Sequence, residues 1–366
     1  MEEGEGYAIP ELPVVFIKAK DEAEAKEILL KIISSYGKIS QKGYEDFVRG
    51  LDIRPPRDIR EELGLLPETP KKAKTKPGDI YAIGPHRLIC GDCTSAETYR
   101  SLMGEELADL IFTDPPYGVA IGDKNKLLNE KASGDRYGIE ENLENDTLGT
   151  EALGKLLSGA FSLMKEYMGD TAAYYVTAPQ GPNGLMMQIA LREAGLPVRH
   201  QLVWCKNAPT FSMGRLDYEY QHENIFYGWK KKHDFYGMGK YQTSLWHYEK
   251  PQKSDLHPTM KPPELIKNAI ENSMEPLDKA ENALQNSSVK SNIILDPFAG
   301  SGSTLIAAQD CKRRARLIEV DPHYCDVIVR RALEAFPALK ATVQRGGKTR
   351  EVTPKDFTDG NQTEKG

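Results

Sequence analysis

The chain of 366 residues holds only five cysteines: Cys90, Cys93, Cys205, Cys311 and Cys325. So odd and sparse a set argues against a disulfide framework and for reduced thiols. Cys90 and Cys93 form a single CxxC with only His86 nearby, whereas a closed zinc site takes four ligands. The plainer reading is a strand end, Arg87-Leu88-Ile89-Cys90, followed by a turn, and no metal is expected. No apolar run approaches the ~20 residues of a membrane span. The acidic start, Met1-Glu2-Glu3-Gly4-Glu5, lacks a signal-peptide core, so the cytoplasm is the expected location. There is no internal repeat. Basic residues are not in excess either: net charge is -6. The charge is uneven, with residues 1–70 mainly acidic and residues 200–261 mainly basic, and a local basic surface holds phosphates even on an acidic protein.

Hydrophobic content of 39% is that of a globular protein, and the length suits one large domain with a small appendage. Residues 12–18 read as a strand. Asp21 then caps a helix in which Ala25, Ile28, Leu29, Ile32 and Ile33 recur at helical spacing. A second helix lies around Tyr44–Leu51. Pro55-Pro56 and the lysine-rich stretch Pro67–Pro77 read as a solvated tether. From Gly78, strands and helices alternate. A hairpin over 80–90 is followed by strands at 108–113, 171–177, 201–204, 292–296 and 315–320. Helices lie at 96–103, 151–167, 184–193, 262–273, 303–309 and 324–336. This alternation predicts an α/β fold with a doubly wound, mainly parallel sheet.

Two short strings stand at strand ends in this pattern. In the first, Ile111-Phe112-Thr113 leads into Asp114-Pro115-Pro116-Tyr117, at the carboxyl edge where open α/β sheets bind ligands. Pro115 and Pro116 fix φ and bring no amide hydrogens. Their carbonyls and the Asp114 carboxylate are therefore acceptors for an exocyclic amine, and Tyr117 offers a ring for stacking. In the second, Ile293-Ile294-Leu295 delivers Asp296, Phe298, Gly300 and Gly302, and Ser303 and Thr304 open a helix. A strand, a glycine turn and a helix cradle a nucleotide-like cofactor. The next strand ends at Glu319, placed to bind ribose hydroxyls. Leu305 occupies the third glycine position, so the full dinucleotide fingerprint is absent.

Four stretches carry a resemblance: CGDCTSAETYRSLM (90–103), LADLIFTDPPYGV (107–119), HPTMKPPELIKNAIENS (257–273), and IILDPFAGSGSTLIAAQ (293–309) with RLIEVDPHY (316–324). Together they resemble the amino-methyltransferases of DNA with a Rossmann-like fold, in the β-type order where the catalytic motif precedes the cofactor motif. Residues 215–232 are similar to the phage and prophage branch. The resemblance covers about Gly78 to Arg345.

It implies S-adenosylmethionine as methyl donor and double-stranded DNA as substrate. Phe298, Gly300 and Gly302 would line the donor, in a cofactor set with Asp296 and Ser303, and Glu319 would hold its ribose. Asp92 and Cys93 would lie near its adenine edge. His257, Pro258, Thr259 and Lys261 would contact its methionine end. Asp114 and Tyr117, with Pro115 and Pro116, would hold the target base. The family also admits a homodimer and a cognate restriction nuclease as partners. Carbon-5 cytosine methylation uses a cysteine, typically after proline, and no Pro-Cys pair occurs here. Asp rather than Ser at 114 leans toward adenine over the cytosine amino nitrogen. Aromatic and basic residues interleaved at 205–256 (Phe211, Tyr218, Tyr220, Trp229, Lys230, Lys231, Lys232 and others) fit DNA recognition by stacking and phosphate contacts. Phe226 and Tyr227 read instead as a buried strand.

The polar stretch Met274–Ser291 is longer than the family's usual turn. Residues 13–52 resemble the rear part of a ParB-like nuclease domain whose front part is missing, so no nuclease activity is carried over. The expected organisation is a partial ParB-like segment and linker at 1–76, a methyltransferase domain at 77–346 and a disordered tail at 347–366.

Overall fold

The computed structural model describes residues 18–26, 28–29, 41–49, 67, 69–70, 72–118, 150–209, 217–237, 242–249, 260–276 and 292–358. The chain divides into two units, Met1–Leu63 and Gly64–Gly366. In the first, residues 22–26 and 28–29 are helical. Asp21 caps this turn by accepting from the Glu24 amide at 2.8 Å. Helix α1 (Gln41–Val48) follows, and the Lys26 ammonium lies 5.4 Å from the centre of the Phe47 ring. The strand expected at 12–18 lies almost wholly outside the described residues.

Among the described residues of the second unit, eleven strands form one sheet. Its strands are β1 (Ile80–Ile83), β2 (His86–Cys90), β3 (Ala108–Thr113), β4 (Met168–Ala178), β5 (His200–Cys205), β6 (His222–Trp229), β7 (Leu245–His247), β8 (Ile293–Asp296), β9 (Arg314–Glu319), β10 (Ala341–Arg345) and β11 (Lys348–Val352). The spatial order is β11-β10-β1-β2-β9-β8-β3-β4-β6-β5-β7. The centre, β2-β9-β8-β3-β4, is parallel throughout. Both flanks contain antiparallel pairs, including the β1–β2 and β10–β11 hairpins.

Every residue of β8 is buried and so is nearly all of β3, as continuous apolar runs in a two-sided parallel sheet require. Helices α2 (Ala96–Met103), α3 (Thr150–Glu166) and α4 (Pro182–Glu193) contribute to one apolar cluster through Leu102, Phe161 and Met187. Helices α5 (Pro263–Ser273), α6 (Ser303–Asp310) and α7 (Pro322–Ala335) contribute to the other through Ile266, Ile306 and Ile328. A fully buried side chain such as Phe161 or Leu295 contributes about 1.5–3 kcal/mol relative to exposure. The chain leaves β8 toward β9 and leaves β3 toward β4. The β8–β3 boundary is thus the point where an open α/β sheet forms its ligand crevice.

Both expected domain boundaries move. Asp326, fully buried on α7, accepts from the Thr75 hydroxyl and from the Lys74 and Thr75 amides at 2.6 and 3.0 Å. Arg345 pairs with Asp79 and donates to the Lys74 carbonyl at 2.8 Å. The end of the lysine-rich stretch is therefore docked on the sheet domain, because a buried carboxylate draws in backbone donors. At the other end, β11 and a 3-10 turn (Pro354–Phe357) extend the domain past 346. Gly346 and Gly347, at φ +54° and +75°, make the hairpin turn, and Val352 and Phe357 are buried beside Tyr81. Polar composition pointed to a disordered tail there, but two apolar residues suffice to seat it. Residues 359–366 lie outside the described set.

Candidate active site

The second motif builds a cradle. Gly300 and Gly302 stand at φ +52° and +81°, which a side chain resists, and a Cβ at Gly300 would point into open space. The Gly300 amide donates at 2.7 Å to Glu319 Oε2, and the Asp321 amide at 2.9 Å to Oε1. Burial raises the Glu319 carboxyl to about 8, with the charges of Asp321 and Asp296 adding to it, against the two amide hydrogen bonds. Register places Cys90 beside Glu319, and the Gly91 amide donates to the Glu319 carbonyl at 2.9 Å. Asp92 and Cys93 thus share the edge with Glu319. Asp92 accepts from the Thr94 amide and hydroxyl at 2.7 and 2.8 Å, and Cys93 is buried. Phe298 is half-buried against the cluster of Leu102, Phe161 and Met187, and Ser303 opens α6 within 3.4 Å of the Arg331 guanidinium.

Asp296 faces the other motif. It accepts from the hydroxyls of Thr113 at 2.7 Å and Thr304 at 2.6 Å, and from the Phe298 amide at 3.1 Å. Burial raises it to about 6 despite these donors.

At the end of β3, the parallel register pairs Thr113 with Val176, which brings Thr177 beside Asp114. The Thr177 hydroxyl donates to Asp114 Oδ1, and the Lys261 ammonium to Oδ2 at 2.7 Å. Lys261 also pairs with Glu223 at 3.2 Å, and Lys206 donates to Glu223 at 2.5 Å. Burial pushes the Glu223 carboxyl up, but the Lys261 and Lys206 ammoniums outweigh it and hold it well below the usual range. The same carboxylates hold Lys261 above the ordinary lysine range, against its own burial. The Tyr117 hydroxyl donates to Glu223 at 3.2 Å, and Lys261 lies 5.5 Å from the Tyr117 ring centre. Asn183, on α4, donates to the Tyr117 carbonyl at 2.7 Å, which fixes the loop.

The structure therefore brings Asp92, Cys93, Asp296, Phe298, Gly300, Gly302, Ser303 and Glu319 to one side of the β8–β3 boundary. Asp114, Pro115, Pro116 and Tyr117 stand on the other. Lys261, expected beside the donor, stands with the second group. His257, Pro258 and Thr259 lie outside the described residues. Sequence reasoning missed Glu223, Lys206 and Thr177. Glu223 had a signal: an acid next to the start of the buried run Asn224-Ile225-Phe226-Tyr227, which is the Asp114 arrangement read in the opposite chain direction.

The basic run Lys230-Lys231-Lys232 does not reach this edge. Its amides donate to Ala172 and Asp170, and Lys230 Nζ to the Met168 carbonyl, all at the amino end of β4. Trp246 is buried in the core, whereas Tyr218 is 83% exposed and Tyr220 is exposed just before β6, at the Asp114 end of the sheet.

Residues 108–330 match the N6/N4 family, described as DNA methylase. The chain belongs to that DNA methylase family. It is 25% identical over 254 residues to the Type II methyltransferase M2.DpnII of Streptococcus pneumoniae, covering 65% of this chain and 86% of that one. Against the Type II methyltransferase M.BglII of Bacillus subtilis, identity is 23% over 286 residues, covering 68% and 72%. A solved structure named PvuII DNA methyltransferase (cytosine-N4-specific) shares the fold with a TM-score of 0.51 at 14% identity, covering 72% of this chain and 90% of that one. Among the described residues of this DNA methylase, no helix is long and apolar enough to cross a membrane.

Proposed function

We propose that this chain transfers a methyl group from S-adenosylmethionine to the adenine amino nitrogen of double-stranded DNA. The observation that carries the reading is the placement of Asp114, at a strand end on the β8–β3 crevice, with its strand tied through Thr113 to the glycine cradle. The cradle fits the donor: Gly300 leaves space where a side chain would stand, and each Glu319 oxygen, already accepting one amide, keeps a lone pair for a ribose hydroxyl. When bound, S-adenosylmethionine supplies a methyl group already activated on a sulfonium, so no enzyme nucleophile is required.

The protein's own work is to capture the base and aim its amine. The target must leave the duplex, at a cost of a few kcal/mol. Asp114 and the Pro115 carbonyl accept the two amine hydrogens, which turns the nitrogen lone pair outward. Lys261 stands over the Tyr117 ring, and we assign that ring to stacking on the base. A purine fills that stack better than a pyrimidine, which supports adenine. We assign backbone recognition to Tyr218, Tyr220 and His222 at the Asp114 end of the sheet, in place of Lys230–Lys232.

The test is radiolabel transfer to unmethylated plasmid DNA by wild-type protein and Asp114→Ala, with donor affinity measured in parallel. Transfer is expected to vanish in Asp114→Ala while donor affinity holds. A near wild-type rate in the variant overturns the assignment.

A further inference from the structure

Four charged side chains meet behind the target-base motif, and amine capture uses only one of them. Lys261, 7% exposed, bridges Asp114 and Glu223, and Lys206 closes the far side of Glu223. Two carboxylates and two ammoniums balance. Buried charges persist only when paired, so this balance is a condition of the fold. It also has a consequence for Asp114. With Thr177 on one oxygen and Lys261 on the other, the carboxylate cannot rotate.

Resting on the methyl-transfer reading above, we propose that Lys261 and Glu223 are positioning residues that fix the Asp114 carboxylate as the acceptor for the target amine. In the transfer, the amine nitrogen forms a bond to the methyl carbon and the carbon–sulfur bond breaks, with its electron pair staying on sulfur. The nitrogen gains a positive charge and then releases one proton. That proton passes to water. Asp114 instead stabilises the developing charge as a fixed dipole partner. Glu223 sets how strongly Lys261 acts, because it shares the ammonium. The other groups facing Asp114 are Asp296 from β8, Tyr117 from its own loop and Thr177 from β4. None of these carries a second cation to replace Lys261.

The reading predicts opposite effects from the two partners. Removing Lys261 adds net negative charge beside Asp114, and neutralising Glu223 adds net positive charge. The experiment compares methyl transfer to unmethylated plasmid DNA at saturating donor across pH 5–9 for wild type, Lys261→Met, Lys261→Arg and Glu223→Gln. Donor affinity is measured by calorimetry on the same preparations. Lys261→Met is expected to slow transfer at neutral pH by at least about tenfold and to move the acid limb up by about one pH unit, as loss of an adjacent cation does. Glu223→Gln is expected to move the limb down, Lys261→Arg to restore it, and donor affinity to stay unchanged.

A merely structural role moves neither limb, and limbs that stay put or move together overturn the proposal. Weakened donor binding with a wild-type rate at saturation also overturns it, placing Lys261 at the methionine end of the donor. If Lys261→Met fails to fold, the direction of the Glu223→Gln shift decides. Wild-type protein that methylates nothing overturns the methyl-transfer reading itself, and this proposal with it. Active wild type with unshifted variants overturns the positioning alone.

Discussion

The Thr113 hydroxyl donates to Asp296 across 2.7 Å, joining the strand that ends at Asp114 to the strand that opens the glycine cradle. The bond crosses the β8–β3 boundary. Asp296, assigned from sequence to the cofactor, thereby also sets the spacing between the two halves of the site. Thr113→Val keeps the shape and deletes the donor. A lost hydrogen bond to a charged group costs about 1.5–3 kcal/mol, and a loss of that size in urea unfolding is expected. Thr113→Ser should recover most of it. Equal stability of Thr113→Val and wild type would show that the bond contributes nothing.

Glu319 links donor binding to pH. Its carboxyl is raised to about 8, and the ionised form is the better acceptor for two hydroxyls. Donor affinity should therefore rise as pH increases from 6 to 9, more steeply than in Glu319→Gln. Calorimetry checks this, and the glutamine variant removes any titration of the donor itself. Identical pH slopes for the two proteins would take Glu319 out of the ribose role.

The same burial makes the donor-free protein sensitive to base. For a carboxyl raised on folding, the stabilising contribution is complete below its ordinary value near 4 and is lost as pH rises through the folded value. For Asp296 that loss runs to about 6, and for Glu319 to about 8. The denaturation midpoint without donor should fall between pH 5 and 8.5, and fall less in Glu319→Gln. A midpoint rising over that range in wild type contradicts the assignment.

Much of this site was legible because parallel strands announce themselves. Ile111-Phe112-Thr113 and Ile293-Ile294-Leu295 are apolar runs ending in an acid, and each acid stands at a carboxyl edge. The paired Gly300 and Glu319 followed from the strand–helix–strand logic. What stayed hidden depends on long-range pairing. Thr177 reaches Asp114 only through the β3–β4 register, and Glu223 only because β6 runs antiparallel to β4. Lys230–Lys232 misled for the same reason, since composition carries no information about which end of a sheet a residue occupies. Polar β11 also gave no strand signal, because four of its five residues are exposed.

The docked stretch before β1 has its own test. A protein starting at Pro77 loses Lys74 and Thr75, leaving the buried Asp326 without the three donors that hold it. An orphaned buried carboxylate costs at least about 1–3 kcal/mol, so this truncation should melt below one that starts at Pro70. Equal melting temperatures would show that the stretch is a tether after all.

The account stands most directly on the identity of the modified base. Unmethylated plasmid DNA incubated with the protein and S-adenosylmethionine, then digested and analysed by nucleoside mass spectrometry, is predicted to contain N6-methyladenine, absent when Asp114→Ala replaces wild type. Methylcytosine without methyladenine, or undiminished methylation by Asp114→Ala, would contradict it.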